Sequence, residues 1–476
     1  MTAQTIIILT YSLIVFQVVT SLAISLGPYC VGLSKGYSSP ALASMQMKRM
    51  MVNNTMESHN IQVTSEEGSW IASLSLLGAL LGGLLSSFVL RYGRKNSLLL
   101  VSIPFSASWL LTVFASSVEM IYCTAFLAGL CSAIVSLVSQ VYISEAACPH
   151  LRGRLSSCLK IFGHLGLLSS FLMGAWLDWR QLALVCAAMP LLMLVTVQYV
   201  PETPSYLVFS GRMEEAERSL HWLRGDLVDV SSELSTIQVN IHSARAEHVD
   251  CSSVILPKLV KPVIITCTLM FFNRFSGVVA FNFYAVTIFS QVFSSINPHI
   301  GAIISAIVQL LSSLLSGILS DKLGRRPLLI MSGLVMTVAL TGFGLFTFYQ
   351  NNNNNNNILR SFDCIPLLCV IFFECAFSAG VQPVSWLLLG ELFPLEYRAQ
   401  GTSFTTTFSY LCAFLGVKTF VDFTKIFGLH GTFWTYGGIT LTGVIFYCMV
   451  VPETREEPLK EMQVREGRSY VGVNTS

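Results

Sequence analysis

Charged residues are scarce in this chain, and they recur in a pattern. Arg91-Tyr92-Gly93-Arg94-Lys95 is echoed by Lys322-Leu323-Gly324-Arg325-Arg326. Glu145 is followed seven residues later by Arg152, and Glu391 seven residues later by Arg398. Pro201-Glu202-Thr203 returns as Pro452-Glu453-Thr454. Carboxylates set at a fixed distance from guanidinium groups can form ion pairs. At a water interface each pair contributes about 0–1 kcal/mol, so a set of them can be broken and remade. Arg91, Arg94, Lys95, Glu145, Arg152, Glu202, Asp321, Arg325, Arg326, Glu391, Arg398 and Glu453 are therefore candidate members of a reversible gate. Topology alone would call for Lys and Arg, not for a repeated Glu at fixed spacing from Arg. Bond-making chemistry has no comparable signal. The sequence holds no G-x-x-x-x-G-K-[ST], H-E-x-x-H or G-x-S-x-G, so it reads as no enzyme and implies no cofactor.

Five more charges fall inside apolar stretches, where a charge is costly and usually functional. They are Lys160, Arg274, Glu374, Lys418 and Asp422. Lys160 is read as snorkelling from the inner end of its span. Arg274 and Glu374 can pair with each other; the alternatives are separate contacts with water or backbone, and direct contact of Arg274 with an anionic substrate. Lys418 and Asp422 are one helical turn apart and can pair within a helix.

The elements that position these charges follow from composition. Of 476 residues, 53% are apolar and 11% charged, against roughly 25% charged in a soluble domain. Long apolar runs predict twelve membrane helices, near 6–27, 68–90, 97–117, 120–143, 155–176, 182–200, 262–290, 300–320, 328–349, 364–389, 402–423 and 432–451. Basic residues collect after the even-numbered spans, which makes those loops and both termini cytoplasmic by the positive-inside rule. Residues 28–67 are expected to form an outer loop, in which Asn53 heads a glycosylation sequon. The sequon at Asn474 falls on the inner side and should be silent. Residues 201–258 read as a soluble cytoplasmic insert, with an amphipathic helix over 214–223. Asn351–Asn357 is a low-complexity extension of an outer loop. Thirteen cysteines lie mostly in apolar runs without regular spacing, so neither disulfides nor a metal site is implied. A net charge of +2 does not suggest nucleic acid as a partner. The partners implied are the lipid bilayer and a small solute.

The motifs recur in one order at the inner ends of matching spans. That implies an all-α polytopic protein in which two six-helix lobes are related by a parallel repeat, the plan of two-lobed secondary transporters. The expected parts are an N-terminal lobe over 1–200, a helical linker over 201–258, a C-terminal lobe over 259–451 and a tail over 452–476.

Taken together, RYGRK at 91, EAACPHLRG at 145, PETPSYL at 201, DKLGRRPLL at 321, GELFPLEYRAQG at 390 and VPETR at 451 resemble the sugar porters of the major facilitator superfamily. GLSKGYSSPAL at 32, AWLDWRQLA at 175, GRMEEAERSLHWLRG at 211 and KTFVDFTKIFGLHGTFW at 418 are similar to segments of insect facilitated trehalose transporters. The resemblance implies facilitated diffusion of a sugar, trehalose or a hexose, by alternating access at the plasma membrane. It also marks departures. The family's Arg in span 4 matches Ala125, and its sugar-binding stretch in span 7 reads Asn273-Arg274-Phe275-Ser276-Gly277. An Asn of span 8 matches Gln309, the Trp of span 10 is kept as Trp386, and the Asn-Trp of span 11 matches Ser409-Tyr410. Sugar recognition needs amides, hydroxyls and an aromatic face. Asn273, Arg274, Tyr284, Gln309, Trp386, Ser409 and Tyr410 are the candidate substrate-binding residues. Proton-coupled relatives place an Asp in span 1 near the span 4 Arg. Neither is present here, so uniport is favoured. The alternatives are a non-transporting sensor or degenerate carrier, and a carrier of another small solute such as an organic anion drawn by Arg274.

Overall fold

Backbone groups within lipid have no water to bind, so apolar runs of this length must satisfy their own hydrogen bonds as helices. The computed structural model describes residues 3–51, 61, 63–225, 230–246, 256–293, 296–352, 364–393 and 398–453, and among them no strand occurs. The chain divides into two compact units, Met1–Ser252 and Ser253–Ser476.

The first unit comprises α1 (Ala3–Met51), α2 (Ser65–Val89), α3 (Arg94–Val113), α4 (Val118–Ala146), α5 (Pro149–Gly174), α6 (Trp179–Gln198) and three short helices. These last are α7 (Pro204–Phe209), α8 (Met213–Arg224) and α9 (Ser231–Ala246). The amphipathic helix expected over 214–223 is α8. Its Ala216 joins Leu207 and Val208 of α7 in a small core covered by Leu234, Ile237 and Ile241 of α9. Arg224, 3% exposed, ties this insert to the bundle. Its Nη1 donates to the Ala146 carbonyl at the end of α4 (2.9 Å), and its Nη2 pairs with Glu233 (2.7 Å). Trp222 of α8 packs on Phe16 of α1 with ring centroids 5.4 Å apart.

The second unit comprises α10 (Leu256–Phe275), α11 (Val278–Val292), α12 (Pro298–Leu323), α13 (Arg325–Asn352), α14 (Cys364–Ala376), α15 (Gln382–Glu391) and α16 (Arg398–Met449). A wide π turn over Phe377–Val381 joins α14 to α15. Ten helical segments among the described residues are each long and apolar enough to span a bilayer. α16 divides at Gly428 (φ 70°, ψ 174°) into two further helical stretches. With the ten spans they make twelve helical stretches, consistent with the twelve spans expected from the sequence.

Two boundaries differ from expectation. The first span does not stop at residue 27. α1 continues through Pro28 and Pro40, so residues 28–46 of the expected outer loop are helical and part of the bundle. Neighbouring membrane helices stabilise a helix that Pro would break in water. The neighbour here is α5. A Cβ added at Gly32 would stand 2.0 Å from the Gly163 carbonyl oxygen, and one at Gly166 2.2 Å from that of Tyr29. Only glycine permits so close an approach, as in small-residue packing of membrane helices. The seventh span is also interrupted, at Gly277 (φ 91°), between α10 and α11. Asn53 and Asn353–Asn357 lie outside the described residues.

Candidate functional site

The repeated motifs build one structure twice. In the first unit Gly93 has φ 105° and turns the chain into α3. The Glu202 carboxylate sits on the N-terminus of α3. It accepts from the backbone amides of Arg94 (2.9 Å), Lys95 (3.0 Å) and Asn96 (3.4 Å). Lys95 Nζ donates to the Gln198 carbonyl at the end of α6 (2.8 Å). In the second unit Gly324 has φ 88°, and Glu453 accepts from the amides of Arg325 and Arg326, each at 3.0 Å. Arg326 Nη2 reaches the Cys448 carbonyl. An anion at a helix N-terminus satisfies otherwise unpaired N–H groups and opposes the helix dipole.

Each unit adds one guanidinium–carboxylate pair. Arg94 binds Glu145 at 2.6 Å, and Arg325 binds Glu391 at 3.3 Å. Both pairs lie inside one unit. Thr203 Oγ1 donates to the other Glu145 oxygen (2.7 Å), and Arg94 stands 5.2 Å from the Tyr206 ring centroid. The repeated Glu of the sequence thus has two separate uses. Glu145 and Glu391 pair with side chains, whereas Glu202 and Glu453 cap helices. Arg91 lies over Phe88, and its carbonyl accepts from the Tyr206 hydroxyl. Arg152 is exposed and makes no ion pair among the described residues. The side chains of Asp321 and Arg398 are not among those described.

The expected substrate residues all belong to the second unit. The break at Gly277 leaves Asn273 and Arg274 in the last turn of α10. A Cβ at Gly277 would meet the Tyr436 ring at 2.7 Å, so glycine is required both by φ and by space. Asn273 is fully buried. Its Nδ2 donates to the Val381 carbonyl in the π turn (3.4 Å), while its Oδ1 has no partner. Arg274 donates from Nε to Ser409 Oγ (2.8 Å), stands 5.7 Å from the Trp386 centroid and has Tyr410 beside it. Gln309 Nε2 donates to Asn282 Oδ1 (2.7 Å), and Glu374 is its other polar neighbour. Tyr284 stacks on Phe420 (4.9 Å, 16°), with its hydroxyl unpartnered.

Arg274 and Glu374 do not pair. Arg274 is engaged by Ser409 and Trp386. Glu374 is 0% exposed, and neither of its carboxylate oxygens accepts a hydrogen bond. Three contributors were missed from the sequence. Asn282 is a lone amide in an apolar run. Tyr436 and Ser378 carry buried hydroxyls without partners. Asn282 could have been singled out by its polarity alone, whereas the other two are ordinary residues in apolar helices. With Asn273, Tyr284 and Glu374, they leave hydrogen-bonding capacity unused in a region where polar groups are normally satisfied.

In the first unit, Ala125 lines a cavity of about 20 Å³ with Ser34, Ser38, Ser75, Thr112 and Thr124. That volume suits about one water, and Tyr37, Ile71, Trp109, Ile121 and Ala128 complete a mixed, mainly apolar wall. Lys160 is exposed on α5, six residues beyond Arg154 in the apolar segment Leu151–Gly174.

Two six-helix units with duplicated helix-end networks and a polar centre in the second define a secondary transporter of the major facilitator type. The family model for the sugar (and other) transporters matches residues 20–465. The chain belongs to this family of membrane transporters and is not an enzyme. It is similar to the facilitated trehalose transporter Tret1 of Apis mellifera ligustica, at 36% identity over 94% of this chain and 88% of the relative. Tret1 of Polypedilum vanderplanki is also 36% identical, over 94% of this chain and 87% of the relative. Among solved structures, the partially occluded inward-open xylose transporter XylE from E. coli matches with a TM-score of 0.76 at 22% identity. That match covers 93% of this chain and 99% of the other, and it shows the fold.

Proposed function

We propose that this chain is a plasma-membrane uniporter for trehalose or a hexose, with both termini cytoplasmic. The observation that carries the reading is the set of unpartnered buried polar groups in the second unit, Asn273, Tyr284, Ser378 and Tyr436, flanked by Trp386. A polyhydroxylated ring offers donors and acceptors to such groups and a face to an indole. The trehalose relatives support the cargo. Asn273, Arg274, Tyr284, Gln309, Trp386, Ser409 and Tyr410 contact it. The helix-end networks form the cytoplasmic gate, their ion pairs remade as the lobes rock.

The uniport reading rests on Ala125 and on a first span whose described part, Phe16–Gln46, holds Lys35 and no acid. Radiolabelled uptake into proteoliposomes tests both parts. Saturable entry of trehalose or glucose is expected, at a rate unchanged when an imposed proton gradient is collapsed. Uptake that stops with the gradient would reject uniport. Uptake of neither sugar would reject the cargo.

A further inference from the structure

Asn282, Gln309 and Glu374 lie on three helices of the second unit, α11, α12 and α14, and α12 packs against both of the others. They sit at one depth. Asn282 is ten residues from Val292, Gln309 eleven from Pro298 and Glu374 ten from Cys364, each counted to an end of its membrane segment. Val292 and Pro298 flank a short connection, and α12 and α13 return the chain to the same side at Cys364. At helical rise, all three residues are about 15 Å from that side.

The contacts give the three groups an order. Gln309 is 3% exposed and Glu374 0%. Gln309 Nε2 donates to Asn282 Oδ1 at 2.7 Å, and the Glu374 carboxyl stands beside the same amide. A carboxyl group keeps an acceptor oxygen whether or not it is protonated. Turning the Gln309 amide over would put its oxygen against that acceptor and against Asn282 Oδ1. Glu374 thus favours the orientation in which the nitrogen of Gln309 reaches Asn282.

Asn282 is left with its donors. Its Oδ1 is taken, whereas its Nδ2 carries two hydrogens and makes no hydrogen bond among the described residues. Asn282 is also partly exposed. A polar group at this depth faces a water-filled space or the bundle interior rather than lipid. The backbone widens into the π turn Phe377–Val381 just after Glu374, and π turns within helices are frequent at functional sites.

We propose that Asn282 is a specificity-determining residue whose Nδ2 donates to one oxygen of the cargo, and that Glu374 is a positioning residue that aims it through Gln309. The proposal rests on the sugar-carrier reading for its cargo. It deepens that reading by fixing the polarity of one contact, in which the protein donates and the sugar accepts.

The test is thermal protection of the purified full-length protein by glucose and by analogues in which one hydroxyl at a time is replaced by fluorine or by hydrogen. Fluorine accepts weakly and cannot donate, and hydrogen does neither. At one ring position the fluoro analogue is expected to protect at a concentration at least about threefold below the deoxy analogue, the share of one weak hydrogen bond. Asn282→Leu should abolish that difference. Glu374→Met keeps the volume without an acceptor and should abolish it too, whereas Glu374→Gln keeps an acceptor oxygen and should preserve it. Gln309→Leu breaks the same link and should act as Glu374→Met does, so the result does not depend on one variant folding. A merely structural Glu374 would shift protection by all analogues alike. Equal protection by fluoro and deoxy analogues at every position overturns the proposal, as does a difference that survives Asn282→Leu or survives both Glu374→Met and Gln309→Leu. Protection needs binding but no transport, so wild-type uptake of glucose and trehalose reports separately on the carrier reading. The expected pattern without uptake would reject that reading and keep the aimed amide. Uptake without a fluoro–deoxy difference would keep the carrier and reject the amide.

Discussion

The two units agree at their ends and disagree in their middles. At the motif-bearing ends, Gly93 and Gly324 turn with positive φ, Glu202 and Glu453 cap the helix that follows, and Arg94 and Arg325 pair with Glu145 and Glu391. In the membrane interior the described polar groups differ. The first unit has Lys35, Lys160, His164 and a small space beside Ala125. The second has Arg274 on Ser409, an amide pair and a buried Glu374. Features required by folding survive a duplication in both copies, because each copy must end its helices. Features that contact cargo are free to differ, because the two halves present different surfaces to one solute.

The sharpest way to break this comparison is to remove the caps. Glu202→Ala leaves several amide groups at the start of α3 without their acceptor. Hydrogen bonds to a charged group contribute about 1.5–3 kcal/mol each, so a large fall in thermal stability is expected. Glu453→Ala should fall by a similar amount if the two ends are equivalent. The flanking glycines separate them. A Cβ at Gly93 would stand 2.4 Å from Glu202, whereas one at Gly324 would stand 3.0 Å from Glu453. Gly93→Ala should therefore cost more than Gly324→Ala. Equal melting temperatures for those two variants would contradict the geometry.

A smaller effect on stability, with a larger one on transport, is expected at Arg274. Arg274→Ala removes the donor to Ser409 and the cation beside Trp386. Sugar uptake should fall more than tenfold while the protein still folds. Ser409→Ala, which deletes only the acceptor, should cost several-fold. If Ser409→Ala costs as much as Arg274→Ala, the hydroxyl is itself the main contact with the cargo.

The repeat, the span count and the helix-end residues were legible in the sequence because they rest on hydropathy and on motifs contiguous in the chain. What was not legible depends on pairing between helices. Gly27-Pro28 reads as the end of a span, and only the glycine contacts with α5 show why α1 continues past it. That boundary hid Lys35 inside a supposed loop. Arg274 and Glu374 looked like partners because they are charges of opposite sign well inside spans 7 and 10. The fold gives Arg274 to Ser409 and sets Glu374 near Gln309 instead. Capping by Glu202 was also hidden, since its acceptor role joins residues more than a hundred positions apart.

Glu374 offers a finer probe of the second unit. Its carboxylate is buried beside the Gln309 amide, with neither oxygen in full hydrogen-bond geometry. Glu374→Gln keeps the volume and adds a donor near Gln309. Its melting temperature should match or exceed that of the parent. Glu374→Ala creates a cavity and should lower stability by about 2 kcal/mol or more, in the manner of large-to-small core changes. A Gln variant as unstable as the Ala variant would mean that the carboxylate has a partner that only an acid can satisfy.

The smallest effect is expected at Ala125 of α4. The space beside it is about 20 Å³ and is walled by Ser34, Ser38, Ser75, Thr112 and Thr124. A serine there adds one oxygen, whose hydroxyl can donate to its own helix backbone as those of Ser75, Thr112 and Thr124 do. Ala125→Ser should therefore change stability by no more than about 0.5 kcal/mol and leave neutral-sugar uptake near the parental rate. Ala125→Arg is the contrasting case, because a guanidinium far exceeds the space and adds a fourth basic group to a unit with no intramembrane carboxylate acting on Lys160 or His164. If Ala125→Arg folds and transports as well as Ala125→Ser, the interior of the first unit is more adaptable than its packing implies, and the contrast between the two middles loses its physical basis.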